Sequence, residues 1–205
     1  MKILEGIKLQ GRPAVIPDCS RDDLPEFFKE MKYTTGAEIG VSKGEFSIKF
    51  CGEGLKLYAV DPWSNYSDYN DPRGQERLDL QYEYVKKILA PYDCTIIRKT
   101  SMEAVEDFPD ESLDFVYIDG NHDFRYIAED IFEWSKKVRK GGIISGHDYF
   151  YTYNSDSRLG NWHVAYVVNA YTQAYDIKNW YLLGRKECVE GEKRDKRRSW
   201  MWFKQ

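Results

Sequence analysis

The run Gly36-Ala37-Glu38-Ile39-Gly40-Val41-Ser42-Lys43-Gly44, followed by Leu57-Tyr58-Ala59-Val60-Asp61, constrains this chain more than any other stretch. An apolar segment enters a glycine-bearing turn, and an acid closes the next apolar segment 21 residues after Gly40. Glycine takes positive φ without steric cost and lets a backbone approach a bulky ligand. A carboxylate about 20 residues on, at the carboxyl end of the neighbouring strand, is placed to accept hydrogen bonds from ribose hydroxyls. The two segments together predict a βαβ unit with a nucleoside-cofactor site. Glu38 stands where a Gly-x-Gly-x-x-Gly fingerprint needs its first glycine, and no Gly-x-x-x-x-Gly-Lys-Ser/Thr loop occurs. Phosphate cradling therefore has less support.

Strand and helix signals alternate beyond this point. Strands are expected at residues 36–39, 55–60, 95–98, 113–118 and 143–145, and helices at 45–50, 75–89, 104–108, 124–138 and 164–175. Leu78, Tyr82, Val85, Ile88 and Leu89 recur at helical spacing, as do Ile127, Ile131, Trp134 and Val138, with Gly141-Gly142 expected to end the second of these helices. The continuous apolar run at 113–118 suits a central parallel strand buried on both faces. Two β-rich segments in succession, 179–183 and 199–203, break the rhythm and predict an antiparallel pair at one sheet edge. Residues 1–33 read as an accessory segment: Pro13 and Pro17 mark an extended lead-in, and 22–33 a helix.

Two further motifs, Phe115-Val116-Tyr117-Ile118-Asp119-Gly120-Asn121-His122 and Gly141-Gly142-Ile143-Ile144-Ser145-Gly146-His147-Asp148-Tyr149, follow in order. With Glu38, Gly40, Gly44 and Asp61, they make residues 34–205 resemble the class I S-adenosylmethionine-dependent methyltransferases. The "IDG-x-H" and "GHDY" stretches resemble a small-domain subgroup like methyltransferase family 24, related to sugar and small-molecule O-methyltransferases. The resemblance implies an α/β, doubly wound, mostly parallel seven-stranded Rossmann-like sheet with one antiparallel strand near its C-terminal edge. It implies S-adenosylmethionine as cofactor, with the methionine moiety against Gly40, Val41 and Gly44, the ribose on Asp61 near Pro62 and Trp63, and the adenine near Ser101 and Met102. Asp119 and Gly120 complete the expected cofactor set.

In an open α/β sheet, ligands lie outside the carboxyl ends of the strands, where strand order reverses. Asp61 ends an apolar strand, where an unpaired buried carboxylate would be costly, so a ligand partner is expected. Methyl transfer from a sulfonium is an in-line displacement, for which positioning supplies most of the catalysis. A hydroxyl acceptor must also lose its proton, to a general base or with help from a metal. His122 and His147 follow the fourth and fifth strands of the domain and are the candidate bases; the third histidine, His163, begins the next helix. Related sugar enzymes hold a divalent cation on an acid of the fourth strand and an acid pair of the fifth. Here Asp119, His147 and Asp148 are the matching metal candidates, and an imidazole with two carboxylates suits Mn²⁺ better than Mg²⁺. Plainer roles exist: Asp119 and Asp123 as helix caps, Met102 as core, His147-Asp148 as a hydrogen-bonded turn.

Composition narrows the partners. A net charge of −4 gives no general attraction to nucleic acid or acidic membranes. The basic run 193–198 lies between expected edge strands and reads as a solvated hairpin loop. Asp119-Gly120-Asn121-His122 replaces the Asp/Asn-Pro-Pro-Tyr/Phe of base N-methylating enzymes. Cys19, Cys51, Cys94 and Cys188 form no Cys-x-x-Cys and read as reduced thiols. Glu5 follows the start too soon for a signal peptide, and no apolar run nears ~18 residues, so a cytoplasmic protein is expected. Tyr66, Tyr69, Tyr149, Phe150, Tyr151 and Tyr153 sit in polar loops, either as lids on the core or as walls that stack on an acceptor ring. The readings are a methyltransferase acting on a small-molecule or saccharide hydroxyl, an NAD-type oxidoreductase, and a non-catalytic cofactor-binding protein.

Overall fold

The computed structural model describes residues 2–66, 74–151, 162–187, 190–191, 195 and 197–205. Its strands are β1 (Ala14–Ile16), β2 (Thr35–Ile39), β3 (Lys56–Val60), β4 (Cys94–Ile97), β5 (Leu113–Ile118), β6 (Val138–Tyr149), β7 (Trp180–Leu183) and β8 (Arg198–Phe203). They form one sheet of order β1-β7-β8-β6-β5-β2-β3-β4. Every pairing is parallel except those of β8, which runs against both β6 and β7. The seven expected strands are present, the reversed one among them, and β1 makes an eighth. The reversed pair is not the sheet edge, however, because β1, read as a lead-in, extends the sheet beyond β7.

Helices α1 (Ile3–Gly6), α2 (Leu24–Glu30), α3 (Ser47–Gly52), α4 (Gln75–Leu89), α5 (Ser101–Val105), α6 (Phe124–Lys137) and α7 (Val164–Ala174) cover both faces. Side chains alternate across β5 with the period of two that a strand imposes. Phe115 and Tyr117 enter a core with Phe27 and Phe28 of α2, Phe50 of α3 and Val85 of α4. Val116 and Ile118 enter the opposite core with Ile127, Ile131 and Trp134 of α6 and Val168 of α7. The ring of Phe28 lies 4.5 Å from that of Phe115, so the N-terminal segment is packed into the centre of the first core.

Three local expectations are corrected. Helix α6 ends at Lys137 rather than at the glycines, and Gly141 and Gly142 lie inside the 12-residue strand β6. Helix α5 starts three residues earlier than expected, because Thr100 and Glu103 form a reciprocal capping box. Asp123 occupies the N-cap of α6 but makes no capping bond; the Phe124 amide donates instead to Nδ1 of His163, 2.9 Å away.

Candidate cofactor cavity and histidine–carboxylate cluster

Strand order reverses between β2 and β5, and a cavity of about 410 Å³ opens at their carboxyl ends. Its walls include Gly40, Asp61, Pro62, Trp63, Ser101, Met102, Asp119 and Gly120, all expected cofactor residues. Gly40 is at φ +91°, and a Cβ there would stand 2.3 Å from the Asp119 carbonyl oxygen. The turn after β2 thus presses directly on the turn after β5. Glu38 and Gly44 support the cavity without lining it. Glu38 is buried beneath the turn, where the Ser47 hydroxyl donates to it, and burial holds its carboxyl well above the usual range. Gly44, at φ +74°, packs toward Ile88 of α4.

The premise that Asp61 lacks a protein partner is corrected. Its Oδ2 accepts the amides of Val41 (3.1 Å) and Ser42 (2.9 Å), and its Oδ1 accepts that of Trp63 (2.8 Å). Burial raises the Asp61 carboxyl and these three amides oppose the rise. A carboxylate offers about four acceptor positions, so one remains on Oδ1. The Trp63 indole donates to the Ser42 carbonyl at 2.9 Å, locking the turn after β3 to the turn after β2.

The second expected constellation lies just past the cavity, joined to it through Asp119. His122 Nε2 is 3.0 Å from Asp148 Oδ2 and 3.7 Å from Asp119 Oδ1. His147 Nδ1 is 3.5 Å from Asp148 Oδ1 and 3.9 Å from Asp119 Oδ1, with its Nε2 3.9 Å from Asp195 Oδ2. Two guanidinium groups flank the carboxylates: Arg21 lies on the far oxygen of Asp119, Oδ2 (3.1 Å), and Arg197 shares Asp148 Oδ1 with His147 (3.4 Å). Burial disfavours the imidazolium of His122, but the carboxylates of Asp119 and Asp148 outweigh it and push the group up to about 9. Asp148 is disfavoured as a carboxylate by burial and, on balance, held below its ordinary range by the two histidines. Trp162 stacks on His122 with centroids 4.4 Å apart, and the Arg197 guanidinium lies 4.0 Å from the same indole.

One donor atom from each of Asp119, His122 and Asp148 falls within 4.8 Å of the other two, a spacing that fits a divalent cation. The expected set had His147 where the structure brings His122 closer. The Nε2 atoms of both histidines are buried and make no hydrogen bond among the described residues.

Sequence reasoning missed Arg21, Asn121, Asp130 and Asp195. Asn121 donates to the Tyr66 hydroxyl at 3.0 Å, tying the loop after β3 to the end of β5. Asp130 had a readable signal, since it falls beside Ile131 on the stripe of α6 that carries Ile127 and Trp134. Arg21 and Asp195 had none: the Arg21 amide donates to Asp195 Oδ2 at 2.8 Å, a contact between residues 174 apart in the chain that nothing local marks. Tyr149 and Tyr151 are near each other, 6.0 Å between rings, and outside the cavity lining. Tyr69, Tyr153, Cys188, and Lys193, Arg194 and Lys196 of the basic run lie outside the described residues. The described cysteines Cys19, Cys51 and Cys94 are free thiols, and no helix among the described residues is long and apolar enough to cross a membrane.

A family model described as a methyltransferase domain matches residues 37–149, more than half of the chain. An uncharacterized protein of Sinorhizobium fredii is 32% identical over 120 residues, 54% of this chain. The match spans only 12% of that protein's length. Among solved structures, an O-methyltransferase from Bacillus cereus in complex with SAH superposes with a TM-score of 0.60 at 13% identity, over 90% of this chain and 80% of that one. An N-methyltransferase from Bradyrhizobium japonicum gives 0.56 at 15% identity, over 90% and 94%. An rRNA methylase from Streptococcus thermophilus gives 0.59 at 12% identity, over 88% and 93%. At such identities the structural likeness speaks to fold alone.

Proposed function

This chain belongs to the methyltransferase-domain family, and on that premise we propose that it transfers the methyl group of S-adenosylmethionine to a hydroxyl of a small molecule or saccharide. The observation that carries the reading is the cavity at the strand-order reversal, which shares Asp119 with the histidine–carboxylate cluster. The cavity takes the nucleoside: the open position on Asp61 Oδ1 accepts a ribose hydroxyl, the turn at Gly40–Gly44 meets the methionine tail, and Ser101 and Met102 flank the adenine. The acceptor lies over the cluster, under Trp162. Membership of a methyltransferase family favours this over the nicotinamide alternative.

The two histidines take different parts. Whether it carries a proton, as its rise to about 9 favours, or gives that proton up to ligate a cation, His122 is not free to act as the base, so that role falls to His147. Asp119, His122 and Asp148 would hold a divalent cation, Mn²⁺ by donor chemistry, which would lower the pKa of an acceptor hydroxyl. The buried Nε2 of His122, which makes no hydrogen bond among the described residues, fits that role. The acidic balance of the chain and the Asp119-Gly120-Asn121-His122 turn after β5 favour a small acceptor over nucleic acid, and a cytoplasmic location goes with free thiols.

Calorimetry with S-adenosylhomocysteine and with NADH tests the cofactor. Binding of the nicotinamide alone would reverse the choice. Turnover over a panel of hydroxylated acceptors, with and without EDTA, tests the chemistry. His147→Ala should lower kcat by about 10²–10⁴-fold, the usual worth of a positioned base. An unchanged rate in both His147→Ala and His122→Ala would remove histidine from the proton transfer.

A further inference from the structure

Cys51 lies in the last turn of α3, and Cys94 opens β4. The Gly54 amide donates to the Cys51 carbonyl at 2.9 Å, so the chain turns at once from α3 into β3. β3 pairs in parallel with β4, and Leu57 stands opposite Cys94. Residues in register across two strands share a face of the sheet, and Leu57 is fully buried in the core that also holds Cys51. Cys94 therefore points toward α3, packs against the same core, and shares a thiol–thiol hydrogen bond with Cys51. The two sulfurs are not equivalent. Cys51 is buried, whereas Cys94 is half-buried. The hydrogen bond from Cys51 favours the Cys94 thiolate against the effect of burial, and the same bond, with burial, raises Cys51. Cys19 makes the contrast: it is buried, donates to the Ile16 carbonyl at 3.2 Å, and burial pushes it up to about 11.

We propose that Cys94 and Cys51 are a peroxide-oxidisable pair, in which Cys94 is attacked first and Cys51 resolves it to a reversible disulfide between β4 and α3. The Cys94 thiolate attacks one oxygen of hydrogen peroxide. An S–O bond forms, the O–O bond breaks, and the departing hydroxide takes up the thiol proton as water, leaving a sulfenic acid. The Cys51 sulfur then attacks that of Cys94. The S–S bond forms, the S–O bond breaks, and the Cys51 proton leaves with the hydroxyl as a second water. Two thiols lose two electrons and two protons to one peroxide. A disulfide needs its sulfurs about 2 Å apart, so the hydrogen-bonded contact must tighten. The turn after Cys51 has room for that, because Gly52 and Gly54 have no heavy atom within 4 Å of where a Cβ would stand. The pair sits at the amino end of β4, whereas the cavity opens at the carboxyl ends of the strands. Oxidation there spares the cofactor site, and the inference stands apart from the methyl-transfer reading.

The test is peptide mapping of the full chain after a small molar excess of hydrogen peroxide, with iodoacetamide blocking and trypsin digestion under non-reducing conditions. Residues 50–56 and 88–98, the tryptic peptides carrying Cys51 and Cys94, should appear joined, and dithiothreitol should separate them. Cys19 should stay reduced throughout. Cys51→Ala should lose the bridge and leave a sulfenic acid on Cys94 that dimedone traps, whereas Cys94→Ala should leave Cys51 fully alkylated at the same dose. Melting curves check that both variants fold, and the wild-type map decides alone if either does not. Both peptides recovered separately from the oxidised wild type would overturn the pairing. So would a bridge that uses Cys19 or Cys188 instead, or a Cys94 oxidised to sulfinic acid beside an intact Cys51 thiol. Dimedone labelling Cys51 rather than Cys94 would overturn the order of attack.

Discussion

Gly40 is the residue least open to substitution. Its φ of +91° is strained for any side chain, and the obstacle to a Cβ is the backbone oxygen of Asp119, which no rotamer change can move. Gly40→Ala should cost at least about 2 kcal/mol of unfolding free energy by urea titration, and should weaken S-adenosylhomocysteine binding along with it. Asp130 gives a pH-dependent prediction of its own. Burial raises its carboxyl to about 7, against the Ser101 hydroxyl, which lowers it. The folded chain thus keeps a proton that the unfolded chain releases near pH 4. The contribution to stability is complete below that value and is lost as pH rises through about 7. Asp130→Asn should remove this slope, so the variant gains on the wild type by up to about 1.4 kcal/mol per pH unit between pH 4 and 7. Parallel urea curves at pH 5 and pH 7 in the ligand-free proteins would contradict it.

At the scale of elements, most of the sheet was legible because central parallel strands are continuous apolar runs bounded by turn residues. Strand β5 and helix α4 have the expected limits, and β2, β3 and β4 differ by about a residue. The misreadings share a cause. Gly141-Gly142 looked like a helix stop, but they sit in β6 because Gly142 packs against the Asp114 carbonyl, a contact with the neighbouring strand. Short β1 reads as a proline-flanked lead-in, since three residues carry no periodicity, and only its pairing with β7 makes it a strand. The site was legible where a motif marks the end of a strand, as at Asp61, Asp119 and Asp148. It was not legible where a distant element supplies the partner, as Arg21 does to Asp119. Helix α2 illustrates how far such partners matter. Phe28 is fully buried against Phe50 and Phe115. Phe28→Ala should cost about 3–5 kcal/mol, as large-to-small changes in aromatic cores do; a loss below 1 kcal/mol on chemical unfolding would show that this helix is dispensable to the core.

Taken as a whole molecule, the N-terminal segment and the methyltransferase region share one core, since Ile3, Ile16, Leu24 and Phe27 lie in the cluster that contains Phe115. A chain starting at residue 34 should therefore fail to unfold cooperatively, whereas a purely accessory segment would leave a sharp transition and full S-adenosylhomocysteine binding. The order of the strands carries another consequence. β8 follows every other strand in the sequence, yet it lies between β7 and β6, with Trp200 and Trp202 completing the second core. During synthesis, which releases the chain from its N-terminus onward, β6 and β7 each wait with an unpaired rim of amides and carbonyls until the final wedge arrives. A ribosome that stalls before residue 198 would leave a nascent polypeptide with two sticky flanks and no means of sealing them, a natural client for a chaperone.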